Sequence, residues 1–237
     1  MKFKVLSFDY WDTLVPIDAE KVKEMRKKRA HYLSEIFRRW GYDKDANLIK
    51  YISHEIWEVY RGYEETIEIT LDKIVEGVLN SLKIEHDQQR IKEVVRIYED
   101  FLIQTGFSLS DNVYEFLEMT KSKGKKIIVI SNTPGGRVER EILKRNNIYD
   151  FFDAFYFSSE VGIRKPHPAI FEKALNDLQI SKKEFIHIGD RPELDVLGAK
   201  RAGVLSAHYN PKGYKYLENY PEPDFTIKDF FELEKFL

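Results

Sequence analysis

The sequence predicts an α/β protein: a doubly wound parallel sheet covered by helices, with a four-helix segment inserted after the first strand. Three observations carry this expectation. In the second half of the chain, short apolar runs alternate with amphipathic segments at the period of strand–helix–strand units. Residues 18–104 instead show helical apolar spacing with no strand-like run. The short runs are nearly continuous in Val, Ile and Phe, as strands buried on both faces must be.

The elements follow in order. Phe3–Phe8 is a short buried strand that stops at Asp9. Four amphipathic helices come next, marked by Val22, Met25, Leu33, Ile36, Phe37 and Trp40; by Leu48, Ile49, Ile52, Ile56 and Val59; by Leu71, Ile74, Val75, Val78, Leu79 and Leu82; and by Ile91, Val94, Val95, Tyr98, Phe101 and Leu102. After Gly106, helices over Ser110–Lys123, Val138–Asn146, Ala169–Leu178 and Asp195–Ala202 alternate with strands at Lys126–Ser131, Ala154–Ser158, Phe185–Gly189 and Val204–His208. The expected division is a core domain of residues 1–15 and 106–237 and a helical insert of 16–105, joined near Val15–Asp18 and Thr105–Ser108.

Composition narrows the function. The 237 residues are 43% hydrophobic, enough for a sizeable core. Lys plus Arg number 38 against 40 Asp plus Glu, so no basic excess favours nucleic acid. With no cysteine, disulfides, thiolate metal sites and a cysteine nucleophile are excluded. Asp9 and Asp12 interrupt the only apolar run near the start, and no stretch approaches the ~20 apolar residues of a membrane helix. The expectation is a cytoplasmic protein acting on a small molecule, with no nucleic-acid or membrane partner and an oligomeric state left open.

Parallel sheets bind ligands beyond the carboxyl ends of their strands. The strand ends here read Asp9-Tyr10-Trp11-Asp12-Thr13, then Ser131-Asn132-Thr133-Pro134-Gly135, then Gly162-Ile163-Arg164-Lys165-Pro166, then Gly189-Asp190-Arg191-Pro192-Glu193-Leu194-Asp195. Together they bring carboxylates, a small hydroxyl, backbone donors and a lysine. Crowded carboxylates need a cation, and a small site of hard oxygen ligands favours Mg²⁺. This set suits displacement at phosphorus, with a carboxylate as nucleophile and cations to balance the phosphoryl oxygens.

These four segments, in order over nearly the whole chain, resemble the motifs of the haloacid dehalogenase-like (HAD) hydrolase superfamily. Asp9 stands at the nucleophile and Thr13 at the threonine of a DxDxT loop. Ser131 matches the second motif, Lys165 within GIRKPHPAIF the third, and Asp190 with Asp195 the fourth. The resemblance implies a Rossmann-like core and makes the insert a cap of the C1 type. It implies Asp9, Thr13, Ser131 and Lys165 as catalytic, Asn132, Thr133 and Arg164 as substrate-binding, and Asp9, the Trp11 carbonyl, Asp190 and Asp195 as the Mg²⁺ site.

One position departs from the pattern. The family's phosphatases carry a second Asp where Trp11 stands, and that Asp protonates the leaving group and then activates water. The 2-haloacid dehalogenases of the same superfamily carry a Tyr there, need no metal, and replace the fourth-motif acids with Ser and Asn. Retention of Asp190 and Asp195 favours Mg²⁺-dependent phosphoryl chemistry over dehalogenation, and a weakly active phosphometabolite-binding protein is the third reading. Asp12 is the remaining nearby acid. His31, His54, His86, His167, His187 and His208 share no metal-ligand spacing and read as structural or solvent-facing. The run Arg26-Lys27-Lys28-Arg29 reads as a solvated helix face, with capture of an anionic substrate as its alternative.

Overall fold

Strands β1 (Val5–Phe8), β2 (Lys126–Ser131), β3 (Ala154–Phe157), β4 (Phe185–Gly189), β5 (Leu205–Tyr209) and β6 (Phe225–Ile227) form one parallel sheet in the order β3-β2-β1-β4-β5-β6. They are seen in a computed structural model that describes residues 3–61, 67–216 and 219–237. All of β1 and β4, and β2 beyond its first residue, are buried, which is why these strands read as apolar runs. The strand order reverses at β1: β2 and β3 lie to one side, β4, β5 and β6 to the other. The carboxyl ends of β1 and its two neighbours therefore share the crevice of a doubly wound sheet.

The chain divides into two compact units, Met1–Pro16 with Thr66–Glu68 and Ser108–Leu237, and Ile17–Glu65 with Ile69–Phe107. No pattern in the sequence marks a piece from the middle of the insert as belonging with the sheet. Ile67 pairs with Ile163 in an isolated antiparallel bridge, and the Glu68 N–H donates to the Gly162 carbonyl. The part of the insert at 62–66 lies outside the described residues.

The second unit contains α1 (Ala19–Arg39), α2 (Ala46–Arg61), α3 (Leu71–Ser81) and α4 (Gln88–Gln104). Asp18 and Asp87 cap α1 and α4 by accepting backbone N–H groups of the first turn. The core gathers Leu33, Phe37, Ile49, Val75, Val78, Leu79 and Val94, with Trp40 and Trp57 packed partly buried against it. One residue of the basic run departs from the solvated reading: Lys27 and Lys28 are exposed, but Arg29 is turned into the bundle and buried.

In the α/β unit, α5 (Val113–Ser122), α6 (Arg137–Arg145), α7 (Ser158–Val161), α8 (Ala169–Leu178) and α9 (Leu197–Ala202) connect the strands. The expected β2, α8 and β4 coincide with the observed ones, while β1 begins at Val5 rather than Phe3. The helix expected from Asp195 is a π-helical turn at Pro192–Val196 running into α9. Strand β6 and the 3₁₀ segment Phe230–Phe236 were not expected, because three residues after a long polar connection leave no alternation to read. Among the described residues, no helix is long and apolar enough to cross a membrane.

Candidate active site

Asp9 is the first residue past β1 and is held there by its N–H donating to the Ile188 carbonyl of β4. Asp9 is 8% exposed, and its carboxylate accepts a hydrogen bond from Lys165 Nζ at 2.6 Å. Lys165, only 1% exposed, spends its three ammonium hydrogens on Asp9, on Asp195 Oδ1 at 2.6 Å and on the Ile130 carbonyl at 2.9 Å. Burial opposes the lysine charge, yet Asp195 and Asp9 outweigh it and hold its pKa above the ordinary value.

The chain after β1 turns tightly. The N–H groups of Leu14 and Val15 both donate to the Tyr10 carbonyl, and Asp12 N–H donates to the Val15 carbonyl. Asp12 has φ 57°, so its backbone is left-handed and its side chain is exposed. Thr13 is buried, with its hydroxyl 3.3 Å from Asp190 Oδ1 and its carbonyl accepting from the Ser110 hydroxyl at 2.7 Å. The Ser131 hydroxyl, at the end of β2, makes no hydrogen bond among the described residues, which leaves it available to an incoming oxygen.

The three residues expected to bind substrate have other attachments. Asn132 clamps the Lys165 backbone, donating to its carbonyl at 2.9 Å and accepting its N–H at 2.7 Å. The Thr133 hydroxyl donates to Glu139 Oε1 at 2.8 Å, and its N–H donates to the Ser158 hydroxyl. Arg164 is buried beside Lys165. The first two tie the loop after β2 to Lys165 and to the start of α7, and their side-chain donors are largely committed to that task.

Oxygens of Asp9, Asp190 and Asp195 lie within 4.8 Å of one another. Their environments differ. Burial, then the charges of Asp9, Asp195 and Asp12, push Asp190 up to about 8. Asp9 is also raised, chiefly by burial and against the pull of Lys165. Burial would raise Asp195 too, but Lys165 and His187 prevail and hold it well below the usual carboxylate range. Three carboxylates with one ammonium leave an excess of negative charge when all are ionised. The donor set is hard oxygen, so it fits Mg²⁺. Asp9 and Asp190 are the better placed ligands. Asp195 Oδ1 already accepts from Lys165 and His187, and its Oδ2 accepts from Arg191 N–H at 2.9 Å.

His187 is a site residue that the sequence reading missed. It pairs with Ser7 across β4 and β1, so both side chains stand on one face of the sheet. Ser7 Oγ lies 3.0 Å from His187 Nδ1, and His187 Nε2 lies 3.0 Å from Asp195 Oδ1. A buried chain thus runs from Ser7 through His187, Asp195 and Lys165 to Asp9. Gly189 makes it possible, because a side-chain carbon there would overlap the Asp195 carboxyl. Burial keeps His187 below its ordinary pKa, so neutral imidazole donates from Nε2 and fixes the carboxylate that orients the lysine. Glu139 was missed too: 3% exposed on α6, it accepts from Thr133 and, at 3.2 Å, from the Trp11 indole N–H. Neither residue belongs to a spacing motif; only the strand pairing and the loop geometry reveal them.

With this arrangement described, comparison with known proteins decides the family. Residues 3–203 match the model of the haloacid dehalogenase-like hydrolases. The chain belongs to that family. This HAD-like hydrolase is 29% identical over 233 residues to the glyceraldehyde 3-phosphate phosphatase of Pyrococcus furiosus, covering 97% of the chain and 87% of that protein. It is 30% identical over 183 residues to the glyceraldehyde 3-phosphate phosphatase of Methanocaldococcus jannaschii, covering 72% and 78%. Its fold is similar to a 2-haloacid dehalogenase from Pseudomonas syringae, with TM-score 0.74 and 22% identity over 99% of the chain and 97% of that structure. The HAD fold alone therefore leaves the choice of leaving group to the site.

Proposed function

We propose that this HAD-like hydrolase is an Mg²⁺-dependent phosphatase of a small phosphorylated metabolite. The observation that carries the reading is the cluster of Asp9, Asp190 and Asp195, whose carboxylate oxygens lie within 4.8 Å of one another and form a hard-oxygen set that a cation complements. An Asp9 oxygen attacks phosphorus, the P–O bond to the leaving group breaks, and the leaving oxygen departs with the bonding pair and takes its proton from water. Water then adds to the aspartyl phosphate, releasing phosphate and restoring Asp9. Lys165 orients Asp9, while Ser131 and neighbouring N–H groups receive the phosphoryl oxygens. Asp9, Asp190 and the Trp11 carbonyl, with Asp195 behind them, would hold Mg²⁺, which would supply charge neutralisation at the phosphoryl group.

The names of the two archaeal relatives support starting the substrate panel with a triose phosphate. The test is a phosphatase screen with Mg²⁺ and with EDTA, run beside a halide-release assay on 2-chloropropionate. Phosphate release abolished by EDTA, with no halide released, is the expected result. Full activity in EDTA with halide release would make the chain a dehalogenase.

A further inference from the structure

Arg29 is a buried cation with no counter-ion among the described residues. It sits on the inner face of α1 between buried Met25 and Leu33 and is 8% exposed. Its guanidinium carbon lies 3.8 Å from the centre of the Tyr98 ring on α4. That stacking is its one partner: among the described residues it makes no ion pair and no hydrogen bond. Burial works against its charge, Tyr98 offsets part of this, and Arg26 adds a charge of the same sign.

Stacking on a phenol recovers only part of what it costs to take a guanidinium out of water. Arginine does not escape by losing its proton, and it has donors in a fixed fork but no acceptor. The surroundings are also rich in donors. The Tyr98 hydroxyl and Ser53 Oγ on α2 are 2.7 Å apart, and neither has another partner among the described residues. One of them donates to the other, so one hydroxyl hydrogen is left over. Donors exceed acceptors where the three helices meet, a setting that suits an oxyanion.

We propose that Arg29, Tyr98 and Ser53 form an anion-binding site within the helical unit, taking the carboxylate or phosphate group of a small ligand. The site is built from this unit alone and does not depend on the phosphatase reading. It also resolves the basic run at Arg26–Arg29, whose last residue faces inward.

The test is thermal unfolding of the full chain at constant ionic strength, titrated with sodium phosphate or with malonate. The wild-type midpoint should rise by about 5 °C when the effective anion is near a hundredfold its Kd. Phosphate alone acting marks a phosphate-bearing ligand, and malonate alone a carboxylate. In Arg29→Met the malonate rise should vanish and the phosphate rise should shrink to the share that binding at the Asp9 site supplies, and without anion its midpoint should equal or exceed that of wild type, because an uncompensated buried charge is gone. Arg29→Lys, which keeps the charge but loses the fork, should weaken apparent affinity about tenfold. A wild-type midpoint indifferent to both anions would overturn the site. So would an equal rise in Arg29→Met, or an Arg29→Met midpoint below wild type by the same amount with and without anion, the mark of purely structural stacking.

Discussion

Trp11 stands where the family's phosphatases keep their proton donor, and its surroundings show what it does instead. Its indole N–H donates to buried Glu139, and its ring meets Tyr10 edge-on at 4.8 Å. An indole does not ionise usefully, so a poor leaving group receives no proton from this position. General acid help is worth ~10²–10⁴-fold. The hydrolase should therefore favour aryl and acyl phosphates, whose leaving groups are stable anions, over alkyl phosphates. Trp11→Asp should raise kcat/KM most on sugar phosphates. A series of phosphate esters with graded leaving-group pKa measures this. The alternative donor is Asp12, whose charge reaches Asp190. A flat leaving-group dependence that collapses in Asp12→Asn would give the role to Asp12. At this scale the sequence was legible where a residue ends or directly follows a strand, as Asp9, Ser131 and Asp190 do at β1, β2 and β4, and in the motif that carries Lys165, beyond α7, to Asp9. It did not mark Glu139, read His187 as structural or solvent-facing, and could not single out Arg29 within its basic run, because each acts through a partner distant in sequence, at 128, 180 and 69 residues' separation for Trp11, Ser7 and Tyr98.

Among the elements, β4 and the turn after it do the most to shape the site. Parallel pairing with β1 sets His187 beside Ser7, and the π-helical turn carries Asp195 back over Gly189. Such turns insert one residue into a helical path and re-aim a side chain, often at functional sites. Gly189→Ala would drive a methyl into the Asp195 carboxyl. The expected result is a loss of about 1–3 kcal/mol in denaturant unfolding, as for other overpacked sites. A fall in kcat should accompany it, since Lys165 loses its fixed anion. Unchanged stability and activity would show that Asp195 has room to move. The runs β2 and β4 were legible from the sequence because all their residues but Lys126 are buried. The π turn was not, since Pro192–Val196 reads equally as an ordinary first helical turn, and the edge strand β6 is too short to show a period.

At the scale of the whole molecule, the acid cluster ties stability to pH and to metal. Asp190 has an ordinary value of 3.8 and rises to about 8 in the folded chain without metal. The folded state then holds a proton that the unfolded state has lost. This contribution is complete below about pH 4 and disappears as pH rises through about 8. Asp9, raised in the same direction, adds to it. Asp195, lowered, acts only in more acidic solution. The unfolding midpoint in EDTA should therefore fall between about pH 5 and pH 8, and Mg²⁺ should restore most at the alkaline end, where it no longer competes with the proton. A midpoint independent of both pH and Mg²⁺ would separate the cluster from metal binding.

The central claim is that Asp9 takes the phosphoryl group onto its own carboxylate. Turnover quenched in acid and read by peptide mass spectrometry tests this directly, because acid preserves an acyl phosphate long enough to digest the chain. With Mg²⁺ and an aryl phosphate, the peptide containing Asp9 should be heavier by one phosphoryl group. The adduct should be absent in EDTA and in Asp9→Asn, whose activity should fall by several orders of magnitude with the fold intact. Phosphate released by an Asp9→Asn variant at more than about a tenth of the wild-type rate, a loss under ~1.4 kcal/mol, with no adduct on the wild-type peptide, would contradict the account.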